Sequence, residues 1–149
     1  MAFGEETTSK VAATIASKLN ADLIVNEKML DGATVVVAGT HVRMGKFNKR
    51  YIRFVKKYAA KVRIYTFIVG AEIEKKQKYV DLAETLSGGK AWYVWGELNA
   101  NKAKGLKKFA LQAFIDGRRQ DGLPTPRLLD KEIAALCREV MLENQITEK

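Results

Sequence analysis

The chain of 149 residues, 47% apolar and 29% charged, has the makeup of one soluble globular domain with a sizeable core. Intrinsic disorder is excluded by that apolar content, and no apolar run approaches the roughly 20 residues a bilayer crossing needs. A single cysteine, Cys137, rules out an internal disulfide and any Cys-based metal cluster, and reads as a small core residue on a helical face. Glu5 and Glu6 stand where a secretory signal would carry basic and then apolar residues, so a cytoplasmic location is expected.

The net charge of +9 is concentrated. Arg43, Lys46, Lys49, Arg50, Arg53, Lys56, Lys57, Lys61 and Arg63 fall within residues 41–63 without one acid among them. Elsewhere the remaining basic residues equal the 17 acids, so this segment carries the whole excess. A basic face of this kind suits an acidic protein partner, an anionic membrane surface or nucleic acid; its plain alternative is a solvated outer surface. No nucleic-acid signature with interleaved aromatics accompanies it, because Phe47, Tyr51, Phe54 and Tyr58 fall on the opposite side of the same helix.

Along the chain, short apolar runs alternate with helical periods. Val11, Ala12, Ile15, Ala16 and Leu19 mark one face of a first helix, capped by Thr7, Thr8 or Ser9. Leu23-Ile24-Val25 reads as a short strand, followed by an Asp31-Gly32 turn and a buried strand over Thr34–Ala38. A polar loop from Gly39 to Lys46 then opens into the amphipathic second helix, which begins near Lys46. Val62–Val69 reads as another buried strand. Tyr79, Leu82, Ala83 and Leu86 mark a third helix, closed by Ser87-Gly88-Gly89. A last strand spans Ala91–Trp95. A fourth helix carries Leu106, Phe109, Ala110, Ala113 and Phe114. The loop Gly117–Arg127, with two prolines, separates it from a final helix whose Ile133, Leu136, Cys137 and Val140 face inward. Such alternation predicts βαβ units: a parallel sheet with helices on both faces and right-handed crossovers. In a sheet of that kind, ligands sit at the carboxyl ends of the strands. Three loops are expected to meet there: Gly4–Ser9, Gly39–Lys46 and Gly70–Lys75. The hydroxyls of the first loop and the helix-start amides behind it suit a phosphate, or serve only as a cap. His41, the only histidine, reads as a hydrogen-bonded loop residue or a proton relay, and cannot build a His-based metal site. Glu72 and Glu74 read as acids favouring a helix start, and Trp92 and Trp95 as core residues on opposite faces of their strand.

Several of these segments resemble a known family. Val37-Ala38-Gly39-Thr40-His41-Val42-Arg43-Met44-Gly45-Lys46-Phe47, with Phe54-Val55-Lys56-Lys57 beyond it, is similar to a segment of the flavodoxin-like FMN proteins. The likeness is strongest to the short group that includes the flavodoxin-like protoporphyrinogen dehydrogenases. Phe3-Gly4, Thr8 and Val11-Ala12 resemble the family's first strand, phosphate loop and first helix, and Gly96-Glu97-Leu98 its segment after the last strand. The resemblance implies a flavodoxin-like three-layer α/β sandwich, with a parallel sheet of order 2-1-3-4-5 and a very short first strand. It implies FMN held by its phosphate on Thr7, Thr8 and Ser9. Thr40, Val42, Arg43, Met44 and Gly45 would lie along one face of the ring, with Gly70, Ala71 and Glu72 on the other side. The implied role is electron transfer or flavin-dependent oxidoreduction, with an acidic redox partner or a small-molecule electron acceptor, or a flavin enzyme acting on a porphyrinogen or quinone. A cofactor-free binding module acting through the basic helix is the alternative. Two features depart from the family pattern: only Met1-Ala2-Phe3 precede Gly4, and Glu6 stands near the expected phosphate-loop glycine.

Overall fold

A computed structural model describes residues 1–4, 6–95, 105–122 and 130–144. Gly96-Glu97-Leu98, Glu5 and the prolines at 124 and 126 lie outside the described residues. So do the side chains of Glu6, Leu106, Phe109 and Ala110.

The chain is an α/β protein with a mostly parallel sheet. Its elements are β1 (Ala2–Phe3), α1 (Glu6–Leu19), β2 (Val35–Arg43), β3 (Lys46–Phe47), α2 (Lys49–Tyr58), β4 (Arg63–Gly70), α3 (Lys76–Ser87), β5 (Ala91–Trp95), α4 (Gly105–Gln120) and α5 (Asp130–Asn144). Two short 3₁₀ turns, Glu27–Leu30 and Ile73–Lys75, complete them. The parallel order is β1-β2-β4-β5, and β3 folds back antiparallel onto β2. Register runs from Val35 opposite Arg63 to His41 opposite Val69, and from Thr66 opposite Ala91 to Gly70 opposite Trp95.

Alternation along the strands divides the core. Val36, Ala38, Ile64, Ile68, Ala91 and Tyr93 point to one face and meet Tyr51, Phe54 and Val55 of α2 and Tyr79 and Ala83 of α3. Tyr65, Phe67, Val69 and Val94 point to the other, against Val11 and Ile15 of α1 and Leu136 and Val140 of α5. Tyr51 reaches into the sheet, where its hydroxyl and that of Thr66 lie 2.7 Å apart and satisfy one another in the interior.

Three expectations need correction. Leu23–Val25 is not a strand; the chain there passes without regular structure, with Val25 largely exposed. Three apolar residues offered a β-pattern but too little length to secure pairing. Gly39–Arg43 is not loop but the second half of β2, and α2 starts at Lys49 rather than Lys46. The fourth helix continues through Gln120, so Gly117 lies inside it.

The short first strand leaves a mark on the sheet edge. β1 pairs with β2 only at Gly39 and Thr40, and the Met1 nitrogen donates to the Val37 carbonyl at 3.0 Å, while β2 runs on to Val35. Beside that uncovered stretch lies a cavity of about 150 Å³, bounded by Met1, Ala16, Leu23, Ile24, Val35 and Val37 among others. The cavity sits where a longer first strand would run.

The end of α5 is fastened electrostatically. Lys90, just before β5, pairs with both Glu139 and Glu143, and the Tyr65 hydroxyl donates to Glu143 at 2.6 Å. The Lys90 ammonium, then the Tyr65 hydroxyl, hold the Glu143 carboxyl down at about 2. A carboxylate depressed in the folded state stabilises it above its ordinary value of 4.5, and that contribution is lost as pH falls from 4.5 towards 2. Thermal unfolding followed across that window should show a declining midpoint, and Lys90→Met should flatten the decline. An identical pH profile in Lys90→Met would show that the pair is too well solvated to matter.

Candidate functional site

The carboxyl ends of β1, β2 and β4 and the elements that follow them gather at one end of the sheet. α1 follows β1 after Gly4, the β2–β3 hairpin projects beyond the sheet, and Gly70 opens the segment leading to α3. Helices α1 and α2 leave this end on opposite faces of the sheet, since their side chains enter different cores. Neighbouring strands whose connections diverge in this way leave a crevice between their tips, the usual place for a ligand in an open α/β sheet.

At this end of the sheet Gly4 is crowded. A Cβ built there would stand 2.5 Å from Thr8 Oγ1 and 2.6 Å from His41 Nδ1. The first turn of α1 therefore packs directly against β2, with Thr8 buried, Thr7 half-buried and Ser9 exposed. Thr7 and Ser9 are the hydroxyls turned towards solvent, beside helix-start amides that the helix itself does not use.

Thr40 serves the scaffold. It is fully buried, its Oγ1 accepts from the Asn48 amide at 3.1 Å, and it donates to the His41 carbonyl at 3.2 Å. Asn48 in turn caps α2 by accepting from the Arg50 amide at 2.8 Å. One hydroxyl thus anchors the start of the basic helix to the central strand. His41 lies in β2, opposite Val69, rather than in a loop.

Val42 pairs with Phe47 and Arg43 with Lys46 across a two-residue turn formed by Met44 and Gly45. Both turn residues have positive φ, 52° and 74°, as the tight hairpin turn compatible with strand twist demands. Glycine meets that demand without cost, whereas methionine does not. The Met44 side chain is 94% exposed.

The Gly70 segment is held by two residues the sequence reading did not connect to it. The Tyr93 hydroxyl donates to the Glu72 carbonyl at 3.0 Å and accepts from the Glu72 amide at 3.2 Å. Trp95 Nε1 donates to the Ala71 carbonyl at 2.9 Å. Burial raises the Tyr93 hydroxyl well above its ordinary value, so it stays a neutral donor. Tyr93 also closes over Gly70, where a Cβ would meet its hydroxyl at 2.2 Å. Glu74 is more than a helix-start acid: it accepts both prongs of the Arg118 guanidinium from α4, at 2.9 and 3.2 Å. Arg118 depresses the Glu74 carboxyl accordingly. That pair spans 44 residues, beyond the reach of local pattern.

The candidate residues thus fall into two groups. Thr7, Ser9, Val42, Ala71 and Glu72 stand partly or wholly open at the strand tips, and Arg43, Met44 and Gly45 form the projecting rim. Thr8, Thr40 and Gly70 are enclosed by the protein's own packing. The cavity beside Val35 lies at the opposite end of β2 from the tips.

What these elements define is a mostly parallel α/β domain with the carboxyl ends of β1, β2 and β4 at one end of its sheet. Comparison with protein-family models, curated proteins and solved structures returns no match for this chain.

Proposed function

We propose that this chain is a flavodoxin-like domain that binds FMN at its strand tips and takes part in electron transfer or flavin-dependent oxidoreduction. The observation that carries the reading is the divergence of α1 and α2 to opposite faces from adjacent strands, with a helix start and a glycine-bearing hairpin at the gap. Topology adds support. Helices α2 and α3 lie on one face while the strands step in a single direction, as right-handed crossovers require. A direct β1–α1–β2 crossover on the other face would have the opposite hand. The chain instead continues through residues 21–26 by the open edge, and its Glu27–Leu30 turn buries Leu30 in the α2/α3 face. That path is the one expected when the flanking second strand of a 2-1-3-4-5 sheet has lost its pairing.

In this reading Thr7 and Ser9, with the first amides of α1, hold the phosphate, while buried Thr8 seats the start of the helix against Gly4. The hairpin strand at Val42 and the Ala71–Glu72 backbone, braced by Tyr93 and Trp95, flank the ring. Bound flavin would supply one- or two-electron chemistry, and the chain would supply position and electrostatics.

Titration of FMN into the purified protein tests this by quenching of flavin fluorescence. FMN should bind at least about tenfold more tightly than riboflavin, which lacks the phosphate, and Thr7→Val should erase about tenfold of FMN affinity. Absence of quenching by FMN, or equal affinity for riboflavin, would overturn the phosphate assignment. The second reading, a cofactor-free module acting through the basic helix, is favoured by the enclosure of Thr40 and Gly70, and absent quenching would leave it standing.

A further inference from the structure

We infer that the β2–β3 hairpin tip and the outer face of α2 together form a docking surface for an anionic lipid bilayer, with Met44 as the inserted side chain. The inference does not depend on the nucleotide reading, although the hairpin that carries Met44 also carries Val42.

Met44 occupies a backbone conformation that opposes a side chain, at φ 52°, yet its side chain gains no burial, being 94% exposed. Asparagine or glycine would suit the turn better. A residue unfavourable for the turn and unfavourable in water is explained by a partner that accepts an apolar group. Cations surround it. Arg43 and Lys46 flank the turn, and both are exposed. Lys49, Arg50, Arg53 and Lys56 continue along the exposed side of α2, a helix about 15 Å long without one acid, and Lys57 beside them is paired with Glu27 at 3.0 Å. The tip also stands beside α3, where a Cβ on Gly45 would lie 3.9 Å from the Tyr79 hydroxyl.

Among anionic surfaces, a bilayer fits this arrangement best. The apolar side of α2 is committed to the core through Tyr51, Phe54 and Val55, so the helix cannot bury itself in lipid. It can present charge to headgroups while one projecting apolar side chain enters between them. Single-stranded nucleic acid would call for aromatic platforms outside, and the aromatic rings of α2 face inward. A protein partner would have to place fixed carboxylates against many scattered cations, whereas mobile headgroups gather under them. Among the described residues no helix is long and apolar enough to cross a membrane, so the contact is peripheral.

The experiment is co-sedimentation with vesicles of phosphatidylcholine alone or mixed with phosphatidylglycerol, together with thermal unfolding of each variant. Binding should require the anionic lipid, weaken with salt, and fall about thirtyfold in Lys49→Glu/Arg53→Glu. Met44→Asn should raise the unfolding midpoint, because asparagine suits the turn, yet weaken vesicle binding about fivefold. Met44→Trp should bind more tightly and show new fluorescence quenching by brominated lipid that the parent chain lacks. Equal binding of Met44→Asn and the parent would overturn the role of the tip. Binding indifferent to lipid charge would overturn the docking surface. A nucleic-acid duplex that displaces the protein from anionic vesicles at matched charge would overturn the choice of a bilayer.

Discussion

Gly39→Ala is expected to destabilise the protein by about 3 kcal/mol, the upper end of what overpacking a core costs. Gly39 lies in the middle of β2, where glycine is a poor strand residue, and the reason is lateral. The Phe67 ring of β4, fully buried, crosses over it; a Cβ at Gly39 would sit 1.9 Å from Cζ and 2.3 Å from Cε2 of that ring. Phe67 cannot swing clear, since Val11 and Ile15 of α1 and Leu136 of α5 close the same core above it. A large aromatic over a strand glycine is one way a sheet covers the backbone a missing side chain exposes. The test is a double-mutant cycle by chemical denaturation. Phe67→Leu alone should also destabilise, by leaving space, but the pair Gly39→Ala/Phe67→Leu should recover about 1 kcal/mol or more relative to simple additivity. Strict additivity would mean that the strand, rather than the ring, gives way.

Gly39 also marks where sequence reading failed. Ala38-Gly39-Thr40 looked like the end of a strand because small and polar residues usually end one. What kept the strand going were two contacts invisible to local pattern: the Phe67 ring filling the glycine's vacancy, and Thr40 spending its hydroxyl on Asn48 and His41. The same error placed α2 three residues early, at Lys46 instead of Lys49, because Lys46-Phe47 pairs back onto β2 before the helix starts. Leu23–Val25 failed in the other direction. Its apolar pattern is genuine, with Ile24 packed against the core, yet no regular pairing to an adjacent strand follows.

Helices were easier to read, because a stripe repeats over several turns and averages out single exceptions. The convergence of three strand tips was legible too, since parallel βαβ order dictates which ends meet. The bracing of the Gly70 segment by Tyr93 and Trp95, and the Arg118–Glu74 fork, were not. Those contacts join residues more than 20 positions apart, and their register is set only once the sheet is built.

Helix α5 shows how far a stripe can be pushed towards energetics. Leu136 and Leu142 are the same residue type on the same helix, six residues apart, hence on different faces at 100° per residue. Leu136 is wholly buried among Val11, Phe67 and Val140, while Leu142 is 69% exposed. Leu136→Ala should therefore cost about 3 kcal/mol, the transfer of three carbons plus the space left behind, and Leu142→Ala less than about 0.5 kcal/mol. Relaxation into the gap is limited on one side by the Phe67 ring and on the other by the anchoring of Glu139 and Glu143 to Lys90, which holds the end of α5 in place. Loosening that anchor with Lys90→Met should let α5 settle further and so reduce the Leu136→Ala loss in the double variant. Urea unfolding of the parent chain, the three single variants and the double variant measures both terms. Equal losses for Leu136→Ala and Leu142→Ala would mean that α5 does not form part of the cooperative core.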